Sequence, residues 1–149
     1  MNSARDRFER TRDAVKRLHE VKLMIMYDCE DWQPPNVKTK GNTSDPTATH
    51  AIYVVDNLEE KMRALRQEEQ ELETFIGESL AIIEAVRNGL GEDYANVLTG
   101  RYIDCFYWHS VLSVYNISSK GTAHRLHDIA LDWIDSVGIS HLLAGDYEL

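Results

Sequence analysis

The sequence predicts an all-α protein in which an N-terminal long-helix hairpin or coiled coil is followed by a C-terminal helix-turn-helix. Three observations predict it. Through the middle of the chain, apolar residues recur every seven positions for about five heptads. Between Trp108 and Ile134, two shorter helical patterns flank a polar break. Nowhere does the chain alternate apolar and polar residues over any length, as a half-buried strand would.

The first element runs from about Ser3 to Asp28, with Phe8, Val15, Leu18, Val21 and Ile25 on one side. Arg5, Arg7, Arg10, Arg12, Lys16 and Arg17 crowd the same segment. Acids are interleaved with them, which favours a solvated face with i, i+4 partners such as Asp6–Arg10 over a basic arm that touches phosphate. Asp31 to Thr43 contains Pro34-Pro35 and Gly41 and has no period, so it reads as a loop or hinge. Asp45 and Pro46 then form the cap and first position of a new helix.

In that helix Val55, Met62, Glu69, Ile76, Ile83 and Leu90 occupy one heptad position, and Leu58, Leu65, Leu72, Ser79 and Val86 another. Only Glu69 and Ser79 spoil the stripe. At ~1.5 Å per residue the segment from Pro46 to Asn88 would extend roughly 60 Å, too far to bury against a small globule alone. It is expected to pack lengthwise on the first helix, on a second copy of itself, or on both: an antiparallel hairpin with the first helix would cover about half of it, and a homodimer seam through the long helix the remainder. Glu69 marks a place where one partner gives way to another. Gly89 and Gly91 end the helix. Glu92 to Ile103 reads as a short helix, with Tyr94, Val97, Leu98, Arg101 and Tyr102 leading onward.

Trp108, Val111, Leu112 and Tyr115 follow at i, i+3, i+4, i+7, giving one buried stripe. Asn116, Ile117 and Ser118 break the period, and Ile117 is placed to plug the angle between two helices. Ser118 or Ser119 can cap the next helix. That helix keeps Ala123, Leu126, Ala130, Leu131 and Ile134 toward a core, with His127 at the edge of the stripe. The expected domains are residues 1–90, 91–137 and a tail, 138–149, with no role read for the tail beyond a short helical turn.

The run RYIDCFYWHSVLSVYNISSKGTAHRLHDIAL, from Arg101 to Leu131, resembles region four of the primary sigma factors. It resembles more closely the RinA/ArpU-type transcriptional regulators encoded by phages of low-GC Gram-positive bacteria. Those proteins typically read RYIEGLSWEEIAERLGIS, then a polar turn and a helix ending RLxDxAL. Arg101, Tyr102, Ile103, Trp108, Val111, Tyr115, Ile117 and Ser118 fall in register, and Ser44-Asp45-Pro46-Thr47 matches the SDPT that opens the long helix in that family. The likeness covers the chain from about Ser44 to Leu131. It departs at Leu126–Leu131, which arrives one residue late, at Gly121, where a polar or basic residue is usual, and at Asn116, where glycine is usual.

The resemblance implies a phage-type regulator of late-gene or lysis-related transcription, working in the bacterial cytoplasm on double-stranded DNA. RNA polymerase is a second candidate partner. The second helix of such a unit enters a major groove, so Ser118, Ser119, Lys120, Thr122, His124, Arg125 and His127 are the expected DNA-binding residues.

Composition bounds this reading. The chain has 149 residues, 43% of them hydrophobic, enough for a packed core. Cys29 and Cys105 are its only cysteines, without a CxxC, so neither a disulfide framework nor a zinc knuckle is expected. No membrane span or signal-peptide core is read. The net charge is −9, which opposes DNA binding by bulk attraction. Residues 1–40 carry nine Lys/Arg against seven Asp/Glu, residues 41–100 four against twelve, and residues 101–149 three against six. Most of the acidity therefore lies in the central helix, although Asp128, Asp132 and Asp135 sit further along the expected recognition helix. His124, His127, Asp128 and His109 have a spacing compatible with a metal, but surface histidines without cysteine partners usually bind nothing, and no metal or cofactor is expected. The aromatic set Tyr102, Phe106, Tyr107, Trp108 and Tyr115 is expected mainly in a small core rather than stacked on bases. No Gly-rich phosphate loop, nucleophile elbow or HExxH is present, so an enzyme is not expected.

Overall fold

The computed structural model describes residues 3–29 and 48–147, and every regular element among them is helical. The order is α1 (Ser3–Cys29), α2 (Ala48–Gly89), α3 (Glu92–Leu98), a π-helical turn (Thr99–Ile103), α4 (Trp108–Tyr115), α5 (Lys120–Val137) and α6 (Ile139–Ala144). The loop predicted at Asp31–Thr43 and the helix start predicted at Asp45-Pro46 lie outside the described residues. No helix among the described residues is long and apolar enough to cross a membrane.

The chain divides into two compact units, and the division differs from the boundary predicted at residue 90. One unit joins α1 through Lys16 to the chain from Glu73 onward; the other comprises Arg17–Leu72. The long helices thus contribute one part to each unit.

In the larger unit Ala4 and Phe8 of α1, Ile82 and Val86 of α2, Leu98 of α3 and Ile134 of α5 are fully buried in one core. Burying each large apolar side chain there contributes roughly 1.5–3 kcal/mol. Ser79, which spoils the heptad stripe, is fully buried beside Thr11. Arg7 Nε donates to Ser79 Oγ (3.1 Å), the two hydroxyls are 2.7 Å apart, and Thr11 Oγ1 donates to the Arg7 carbonyl (2.8 Å). A ring in which Ser79 donates to Thr11 satisfies every group, which is what makes a polar pair tolerable there. Arg7 also lies over the Phe75 ring at 3.9 Å and donates to the Phe75 carbonyl, so it belongs to the packing and not to a solvated face.

Within the predicted tail, residues 138–147 do not stand apart. α6 returns against α5, Leu142 enters the core, and Tyr147 meets Trp133 edge-on at 6.4 Å between centroids. Gly138, at φ 99°, makes the sharp turn that permits it.

In the smaller unit Val21, Ile25 and Leu65 form the core, with Met24, Met62 and Leu72 packed on it. Arg17 grips Glu68 with two hydrogen bonds of 2.6 and 3.0 Å, which holds that carboxyl below its usual range. Leu58, predicted on the buried stripe, is 42% exposed.

The predicted helix Glu92–Ile103 changes character at Thr99. The Asp104 amide reaches back five residues to the Thr99 carbonyl (2.9 Å), and the Phe106 amide reaches the Gly100 carbonyl (2.9 Å). Close packing accompanies the change. A Cβ on Gly100 would lie 2.8 Å from Cε2 of Tyr115, so this backbone approaches α4 nearer than any other residue allows. The wider turn buries Tyr102 and leaves Arg101 half-exposed over Trp108. Single π turns of this kind recur at functional sites.

Candidate nucleic-acid interface

The chain bends once after α4. Asn116 takes the left-handed conformation (φ 58°, ψ 43°), tolerable for asparagine, and the Ile117 amide closes the helix end on the Leu112 carbonyl (3.0 Å). Ser119 is extended, and its Oγ accepts from the Thr122 amide (3.1 Å), so Ser119 rather than Ser118 caps α5. Val111 and Ala123 are fully buried between the two helices, and Trp108, Leu112, Tyr115 and Leu126 half-buried.

Six of the seven residues predicted to meet DNA lie on or beside the exposed start of α5. Ser118, Ser119, Lys120 and Arg125 are exposed; Thr122 and His124 are half-buried. Thr122 Oγ1 is 3.0 Å from Ser119 Oγ, and the His124 ring packs on Trp108 with centroids 4.1 Å apart. Among the described residues the side chains of Ser118, Lys120 and Arg125 hydrogen-bond to nothing. Of the three acids expected to repel a duplex, Asp135 accepts from the Ala4 amide (2.8 Å), where its charge complements the N-terminal end of α1. Asp128 and Asp132 remain exposed.

His127 is a correction. Expected to face DNA, it is 3% exposed, with Nε2 2.6 Å from the Tyr102 hydroxyl and Nδ1 3.0 Å from Asp128 Oδ1. Burial pushes the imidazole below its usual range and the Tyr102 phenol above its own. A neutral ring beside a protonated phenol leaves one arrangement: Tyr102 O–H donates to Nε2, and Nδ1–H donates to Asp128. That tautomer follows from the network. A phenol held protonated is not an activated nucleophile, and in the Tyr102–His127–Asp128 chain it serves as the hydrogen-bond donor.

The same relay lines a cleft of about 370 Å³ in the larger unit. Arg5, Glu9 and Arg12 enter from α1, Arg101 and Tyr102 from the π turn, Trp108 from α4, and His124, His127 and Asp128 from α5. Arg101 lies 5.1 Å over the Trp108 ring, and Arg12 lies 5.9 Å over Tyr102. The sequence reading missed this gathering. Its only local signal was the density of arginines in α1, which by spacing alone is indistinguishable from a solvated face. Of the aromatic set expected in the core, Tyr102 is buried, whereas Tyr107 is 73% exposed and stacks on His109 at 6.0 Å. Among the described residues no group of three His, Cys, Asp or Glu side chains converges as metal ligands would.

Comparison with family models, curated proteins and solved structures found no match. The class that fold and site define is therefore the coarse one, an all-helical chain carrying a bent helix pair with an exposed, serine-capped second helix.

Proposed function

We propose that this chain is a non-catalytic, phage-type transcriptional regulator that binds double-stranded DNA through α4, the turn at Asn116 and α5, a sigma-like helix-turn-helix. One observation carries the reading: the first turns of α5 project Lys120 and Arg125 into solvent with no partner among the described residues, directly behind the Ser119 cap, and Ser118 is exposed just before it. Lys120 and Arg125 meet phosphates or guanine edges, Thr122 and His124 supply further donors, and the free amides at the helix start favour an anion. The protein works in the bacterial cytoplasm as a homodimer through the long α2 helix. Pairing two weak recognition helices offsets the unfavourable net charge by avidity.

A protein-interaction role, with RNA polymerase or another regulator as partner, is the rival. The three Lys/Arg against six Asp/Glu in residues 101–149 and the exposed Tyr107 and Val114 on and before α4 favour it. Selection of bound sequences from random duplexes, followed by gel shifts across a salt series, separates the two. A DNA reader loses affinity steeply as salt rises. Lys120→Ala/Arg125→Ala should abolish the shift while leaving the helical circular-dichroism signal unchanged; a shift that persists in the double variant refutes the assignment of α5.

A further inference from the structure

The cleft between α1, the π turn and α5 gathers cationic groups from distant parts of the sequence. Arg5, Arg12 and Arg101 converge on it against two carboxylates, Glu9 and Asp128. Asp128 is already engaged, by His127 Nδ1 at 3.0 Å and by Arg5 at 3.6 Å. Among the described residues neither Arg12 nor Arg101 pairs with a carboxylate. Arg101 donates Nη1 to the Phe106 carbonyl (2.9 Å), which fixes its guanidinium over Trp108 and leaves its remaining donors toward the cleft. Two guanidinium forks held against aromatic faces, neither of them paired with a carboxylate among the described residues, present donors suited to an anion.

We propose that this cleft binds a phosphate group, held by Arg12 and Arg101. Guanidinium forks match the geometry of phosphate oxygens, and a cavity of about 370 Å³ is larger than the bare ion requires. The remaining room accommodates whatever carries the phosphate, and Glu9 on the wall accepts from a hydroxyl of that carrier. The carrier is either a small sugar phosphate or the backbone of a nucleic acid; the recognising chemistry is the same. The cleft binds the anion whether or not α5 reads a duplex.

The test is calorimetric titration of the full chain with inorganic phosphate and with ribose 5-phosphate, at ionic strength matched with chloride. Saturable binding is expected, weakened about tenfold or more by Arg12→Gln and unchanged by Lys120→Ala/Arg125→Ala. Arg101→Lys, which keeps the charge and loses the fork, should weaken it too, and circular dichroism checks that each variant is folded. Absence of saturable heat with both probes overturns the proposal, as does an Arg12→Gln protein that binds like the parent. A gel shift distinguishes the carriers. If Arg12→Gln also loses duplex DNA, the backbone supplies the phosphate; if the duplex is retained while ribose 5-phosphate is lost, a small metabolite does. Loss of the duplex in the α5 double variant with phosphate binding intact supports an anion site distinct from the DNA contacts of Lys120 and Arg125.

Discussion

Replacing Tyr102 by phenylalanine isolates the hydrogen bond on which the cleft wall depends. The ring stays, and with it the contact to Phe8 at 5.4 Å between centroids. Only the hydroxyl that donates to His127 Nε2 at 2.6 Å is removed. Nε2 then remains buried without a donor, because His127 is 3% exposed and its other nitrogen is committed to Asp128. Leaving a buried acceptor unsatisfied costs about 1–3 kcal/mol. For a chain of this length each kcal/mol moves the melting temperature by about 2–4 °C, so a loss of several degrees is expected. Urea unfolding measures the cost, and the cycle completed with His127→Leu and the double variant should return a coupling of about 0.5–3 kcal/mol. Nitrogen NMR of the imidazole gives an independent reading, since the parent should hold its proton on Nδ1. A loss below about 0.5 kcal/mol, within the range of ordinary surface substitutions, or a proton found on Nε2, would refute the relay.

Three further outcomes follow from the same geometry. His127 is held neutral by burial, its folded pKa lying below the ordinary value of about 6.5, so the unfolded chain takes up the proton first. Stability should therefore fall as pH drops below about 6.5 and level off once pH passes the folded value; His127→Gln should remove that component of the slope, and an unaltered slope contradicts it. Ser119→Ala removes the acceptor that the Thr122 amide uses at 3.1 Å, at a cost of about 1 kcal/mol in thermal unfolding; no cost would mean that water caps α5 equally well. Gly100→Ala places a methyl 2.8 Å from Cε2 of Tyr115 and 3.3 Å from Cγ2 of Val111, and should destabilise by about 1–3 kcal/mol in urea. Tyr115 cannot yield freely, because its hydroxyl donates to Asp104 at 3.1 Å; a neutral variant would show that the ring moves aside.

Local rules carried the reading wherever a residue answers to its neighbours in sequence. The 3.6-residue period of Trp108, Val111, Leu112 and Tyr115 made α4 legible, Asn116 and the serines made the turn legible, and Gly89 with Gly91 closed α2 near where it ends. These features rest on hydrogen bonds and steric limits spanning a few residues, so the sequence by itself determined them. The partners of single side chains answer to contacts across the chain, and only the tertiary structure decided those. Ser79 looks like a flaw in a heptad until Thr11 and Arg7 are brought to it. His127 looks like a surface donor until Tyr102, 25 residues earlier, arrives at 2.6 Å. The three arginines of the cleft look like solvated charge on two unrelated segments until packing brings α1 beside the π turn. Even that turn escapes a local reading: it lies where Gly100 lets Tyr115 approach closely, and no helical period records the ring that lies against it.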